Sequence, residues 1–204
     1  MTFFEPVPAS FDPTFTSPNY PLRELQRQPW RGGPNDTLGV PLFFSPMLAL
    51  TDEVAVFVGD VVAFPSGFKI SVTTFGRLNY FRFRPEHDGP GPGPGPDLTG
   101  GVLRFGVGFG DGSKVTDAWD LNQPHGDGSR VLMSTASGGG NRRYGHHFWC
   151  EPLPPPGMMR FVCEWPAVGI PESEVVLDAQ VILDAAAKAV PIWERDVDLP
   201  DDSP

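Results

Sequence analysis

Glycine and proline interrupt this chain almost throughout: 24 Gly and 25 Pro stand among its 204 residues, about twice the usual share. Proline fixes φ and removes a backbone donor, and glycine weakens the interior of any regular element. Much of such a chain must therefore be turns, loops and extended segments. The apolar residues left for regular structure are rich in Val and Phe, which suit pleated strands. The fold class expected is mainly β: a two-sheet β-sandwich with one C-terminal helix and a Pro-rich N-terminal arm, or alternatively a β-barrel.

Residues 1–46 hold nine prolines and read as an extended arm. A short helix is expected within it near residues 19–28, capped by Asn19. The arm also carries Phe3, Phe4, Phe11, Phe15, Tyr20 and Trp30. A disordered arm would carry fewer aromatics, so it should wrap its own core or a partner. A single core is expected over residues 47–193. Its loop 85–97, which contains the run GPGPGPGP, reads as an insertion between strands. Residues 194–204 hold five acids and one Arg and form an acidic tail.

Within the core, residues 53–59 are a β-branched run, and residues 68–75 alternate Phe68, Ile70 and Val72 against Lys69, Ser71 and Thr73. That period of two predicts a strand with one wet face, entered by a turn at Pro65-Ser66-Gly67. A further strand is expected over 78–83. Residues 102–109 put Leu103, Phe105, Val107 and Phe109 on one face and Gly106 and Gly108 on the other. The glycine face is bare enough for another part of the chain to approach closely. Asp111-Gly112 predicts a hairpin returning over 113–119. Strands follow at 130–135, 144–150 and 159–165, with the last two read as a hairpin about Leu153–Pro155. Asp178 reads as the cap of a helix over 179–190, stopped by Pro191, with Val181, Ile182, Ala185, Ala186 and Ala189 as its apolar side.

The formal net charge is −10. A general nucleic-acid binder needs a basic footprint to release counterions, so that class is not expected. The opening residues lack the basic and apolar regions of a secretory signal, and no run reaches the length of a membrane span. A cytoplasmic protein without membrane association is expected.

The stretch densest in reactive residue types is GGGNRRYGHHFWCE, residues 138–151. His146, His147, Cys150 and Cys163 have the residue types of a zinc site. On a strand, however, His146 and Cys150 lie about 13 Å apart, too far for one metal. Neither a metal nor another cofactor is expected. The expected hairpin also keeps Cys150 and Cys163 apart, so both should be free buried thiols. Arg142 and Arg143 follow a glycine-rich turn and can hold an anion, against the plainer alternative of an exposed arginine pair. Strand periodicity pairs Arg142 with His146 on one face and Arg143 with His147 on the other. At least one pair should then face solvent. Trp149 completes the candidate binding set, although tryptophan is more often a core anchor. No nucleophile elbow is present, His87 and His125 have no recognisable nucleophile partner, and Asp117, Asp120, Asn122 and Asp127 break the spacing of a calcium loop.

Three stretches together, PWRGGP (29–34), TDEVAVFV…FPSGF (51–68) and HFWCEPLPPPG…FVCEWPAVGIPE (147–172), resemble a set of uncharacterised actinobacterial proteins. The resemblance covers about two-thirds of the chain. It implies a shared fold and a bacterial setting, and no catalytic residues. The function expected is a non-enzymatic binding module with a protein partner. The alternative is a small-ligand or anion-binding enzyme with a pocket around Arg142, Arg143 and His146.

Overall fold

The computed structural model describes residues 3, 33–34, 36–77, 103–116, 130–140 and 142–192. The expected helix near 19–28, the strand at 78–83, the Gly-Pro loop, His87, His125, the acidic segment 117–127 and the tail lie outside the described residues. In chain order the strands are β1 (Thr37–Leu38), β2 (Val40–Leu42), β3 (Met47–Leu50), β4 (Val54–Ala63), β5 (Phe68–Gly76), β6 (Arg104–Gly108) and β7 (Lys114–Thr116). They continue with β8 (Val131–Gly140), β9 (Arg143–Glu151), β10 (Met158–Trp165), β11 (Ile170–Asp178) and, after helix α1 (Gln180–Ala186), β12 (Val190–Pro191).

The larger sheet runs β2-β4-β5-β9-β8, with β3 also paired to β4, and the smaller runs β11-β10-β6-β7. Neither closes on itself, so the architecture is a sandwich with a C-terminal helix and not a barrel. Among the described residues every strand pairing is antiparallel. Inward-facing Val56, Val58, Ile70, Val72 and Phe148 of the larger sheet meet Phe105, Val107, Phe161 and Cys163 of the smaller. Phe105 bridges the layers, stacked 5.2 Å from Phe148 and 6.1 Å from Phe161.

The alternating pattern of β6 is realised: Leu103, Phe105, Val107 and Phe109 enter the core. At the hairpin, Gly112 takes φ +85° and donates to the Phe109 carbonyl at 3.0 Å, while the Phe109 N–H donates to the Ser113 carbonyl at 2.9 Å, which closes the tight turn. Arg130 braces that turn. It lies 4.5 Å over the Phe109 ring, pairs with Asp111 at 3.2 Å and donates to the Leu153 carbonyl at 3.2 Å. Serine hydrogen bonding at Ser113, more than the Arg130 charge, holds the Asp111 carboxyl below its usual range.

Three expectations are corrected. Strands β9 and β10 do not form a hairpin: β9 pairs with β5 and β8, and β10 with β6 and β11, in opposite layers. The proline-rich stretch after β9 cannot make a tight two-strand turn and instead carries the chain across the sandwich. Cys150 and Cys163 are still free and buried. Burial pushes the Cys150 thiol upward and the Cys163 thiol up to about 12.

Helix α1 is shorter than expected. Asp178 does accept from the Gln180 N–H at 2.9 Å, but the helix ends at Ala186, and Val190 and Pro191 pair with Leu38 and Thr37. Ile182, Ala185 and Ala186 are buried, whereas Val181 faces solvent. Within the segment read as an arm, β1 pairs with β12 and β2 with β4. Third, the supposedly wet face of β5 is largely covered at Ser71 and Thr73, because β5 is central and its outer face forms the floor of a groove.

Candidate functional site

Strand β9 pairs along its whole length with β5 on one side and β8 on the other, so its side chains alternate strictly between the two faces of the larger sheet. Tyr144, His146, Phe148 and Cys150 turn toward the core side, and Arg143, Gly145, His147 and Trp149 toward the outer side. The outer face carries a groove of about 730 Å³ that Phe57, Ser71, Thr73, Phe75, Arg143 and His147 help to line. Its bare wall comes from Gly138, Gly139 and Gly140 on β8 and Gly145 on β9.

The cross-strand rungs order these groups. Phe75 is level with Arg143, Thr73 with Gly145, and Ser71 with His147. The Arg143 guanidinium lies 5.5 Å over the Phe75 ring, which meets Phe57 edge-on at 5.8 Å. Arg143 and His147 are thus two rungs apart, about 13 Å along the strand, with a side-chain-free gap at Gly145 between them. The Ser71 hydroxyl accepts from the Asp60 N–H at 2.6 Å and the Ser45 hydroxyl donates to the Val58 carbonyl at 2.9 Å. Both hydroxyls are engaged with backbone, and Asp60 borders the far side of the groove.

A second, shallower hollow of about 700 Å³ adjoins the first and shares Phe75 and Arg143 with it. It adds Arg77 and Arg142, with Asp52 and Glu53 along its edge. Arg142 sits in the turn between β8 and β9, where its carbonyl accepts from the Gly76 N–H at 2.9 Å. The basic groups therefore form a band: Arg77 and Arg142 at one end, Arg143 in the middle, His147 at the other. Compared with family models, curated proteins and solved structures, the chain matches none.

The sequence-derived candidates separate accordingly. Arg142, Arg143 and His147 fall on the exposed band. His146 does not converge with Arg142 and Arg143; it lies between Tyr144, 5.0 Å away, and Phe148, 6.3 Å away, on the core side. Its Nε2 is buried without a hydrogen-bond partner. Burial, with the charge of His147 as a smaller cause, pushes its imidazole down from about 6.5 to about 4. Trp149 is fully buried on the outer side, its N–H donating to Glu151 at 2.8 Å and its ring meeting Phe64 edge-on at 5.6 Å. It is an anchor and offers no face to a ligand. Among the described residues no group of three or more His, Cys, Asp or Glu side chains is placed to hold a metal, and no helix is long and apolar enough to cross a membrane.

Arg77 is the contributor that sequence reasoning missed. It lies sixty-five residues from Arg142 in the chain, and the β5–β9 pairing brings the two to one corner.

Proposed function

We propose that this chain is a cytoplasmic, non-enzymatic binding module of bacterial origin that holds an extended acidic segment of a protein partner across the outer face of the larger sheet. The observation that carries this reading is the length of the basic band. A single phosphate or carboxylate is met from all sides within a few ångströms, whereas Arg143 and His147 are separated by about 13 Å of strand. Such a spacing suits acidic groups distributed along a chain. The exposed arginines at the corner extend the band in the same sense. The bare glycines of β8 and β9 leave room for a backbone to lie low against the sheet. Engagement of the Ser45 and Ser71 hydroxyls with backbone, and the turn of His146 toward the core, support binding over catalysis.

The test is fluorescence anisotropy with a labelled deca-glutamate peptide at 50 and 300 mM NaCl, a change that shortens the screening length from about 14 to about 6 Å. The parent should bind, more weakly at high salt, and the Arg142→Gln/Arg143→Gln variant should lose about ten-fold or more. Equal binding by parent and variant, or none by the parent at millimolar peptide, overturns the proposal. Tighter binding of inorganic phosphate than of the peptide would favour a small-anion pocket instead.

A further inference from the structure

The outer face of the smaller sheet holds a second site, independent of the basic band. Gly108 on β6 is level with Arg160 on β10 on one side and Lys114 on β7 on the other. Gly106, two residues earlier, is level with Val162. The result is a slot with a glycine and valine floor and two cationic walls. Phe3 fills it. Its ring is only 4% exposed, and the Arg160 guanidinium and Lys114 ammonium each lie 5.4 Å from the ring centre. A Cβ on Gly106 would stand 2.4 Å from that ring and one on Gly108 3.2 Å from it, so any larger residue would close the slot.

The backbone of Phe3 is held as well. Its N–H donates to the Glu172 carboxylate at 2.7 Å, and its carbonyl accepts from the Lys114 ammonium. Glu174 pairs with Arg160 at 3.2 Å and so fixes one wall. Glycines inside a strand cost stability and are kept where something must approach closely. Here the approaching group is an aromatic ring whose main-chain donor and acceptor are both satisfied by side chains of the sheet. That is recognition of an aromatic residue within a peptide, carried out intramolecularly.

We propose that the Gly106–Gly108 slot is a peptide-binding site for a phenylalanine-type residue, and that Phe3 occupies it as a built-in competitor. The ring over the glycines supplies selectivity, and Glu172 and Lys114 grip the backbone of any residue. Residues 4–32 tie Phe3 to the body through 29 intervening positions. Phe3 belongs to the same chain as the slot, so it competes intramolecularly with any peptide that enters from solution.

The probe is a synthetic peptide of residues 1–8, titrated by calorimetry. The Phe3→Ala chain should bind it about ten-fold or more tightly than the parent, whose slot is already filled. The same peptide with Ala in place of its third residue should not bind, and adding Arg160→Gln and Lys114→Gln to the Phe3→Ala chain should abolish binding. Equal affinity for parent and Phe3→Ala chains, or no binding to the latter at millimolar peptide, overturns the proposal. A readout independent of that variant's folding is the fluorine resonance of 4-fluorophenylalanine placed at position 3 of the otherwise unaltered chain. Excess unlabelled peptide should move it toward the position of a solvated ring, and a resonance that never moves refutes exchange at the slot.

Discussion

Acidification should unlock the core through His146. In the folded chain its imidazole sits between the rings of Tyr144 and Phe148, level with Val72 on β5 and Ser137 on β8, and its Nε2 has no partner. Its proton affinity falls from about 6.5 to about 4 on folding. The unfolded chain therefore takes up a proton near pH 6.5 that the folded chain refuses until about pH 4. Stability is unaffected above pH 6.5, is lost as pH falls through that window, and levels off below it. At about 1.4 kcal/mol per unit, the loss from this residue accumulates to about 3 kcal/mol. Other groups titrate over the same range, so the measurement is a difference. Urea denaturation of the parent and of His146→Phe, from pH 7.5 to 4, isolates the histidine because the remaining groups are common to both. Phenylalanine keeps the ring between its neighbours and removes the orphaned nitrogen, so the variant should match or exceed the parent at pH 7. The gap should then widen in the variant's favour as pH falls. A constant gap between pH 7 and pH 4.5 would refute the argument.

Three further outcomes follow from the packing. Phe105→Ala removes the ring that bridges the two sheets and should cost about 3–5 kcal/mol in denaturant unfolding, while a loss under 1 kcal/mol would mean the layers do not depend on it. Gly112→Ala places a side chain at φ +85° in open space, so conformational strain alone should cost about 1–2 kcal/mol, and Asn at the same site should cost less; equal stability of Gly and Ala would show that the turn relaxes. Cys150 and Cys163 should resist a thiol reagent at pH 8 in the folded chain and both react within minutes in denaturant, whereas rapid labelling of the folded chain would contradict their burial.

How far the fold was legible depended on whether local pattern or long-range pairing decided each feature. The alternation at Leu103, Phe105, Val107 and Phe109 and the turn at Asp111-Gly112 are local, and both were readable. So was the start of α1, because an aspartate carboxylate reaches only the next few N–H groups. The partners of β9 and β10 were not readable. Adjacent strands joined by a short link usually pair; the prolines of this link disfavour a tight turn but do not say which strands β10 will meet instead. The early end of α1 was hidden for a similar reason: its alanines extend the helical pattern, but Val190 and Pro191 are claimed by Thr37 and Leu38. At the site, period two correctly separated Arg143 and His147 from His146. It could not tell which face would be core, and it could not bring in Arg77. The glycine face of β6 announced a close approach without naming Phe3, which lies more than one hundred residues away in the chain.

The short ribbon of β1 and β12 has a mechanical consequence. Thr37 faces Pro191 and Leu38 faces Val190, and just beyond them the Ile192 N–H donates to the Asp36 carbonyl at 2.7 Å. Residues 36 and 192 thus stand side by side, at the same end of one antiparallel ladder. A pull that separates them loads the rungs one after another, as a zipper is opened, and not all together as in shear. The ribbon would open at low force while both layers of the sandwich stay shut. A pull applied at residues 36 and 192 is therefore taken up first at a fuse outside the hydrophobic core.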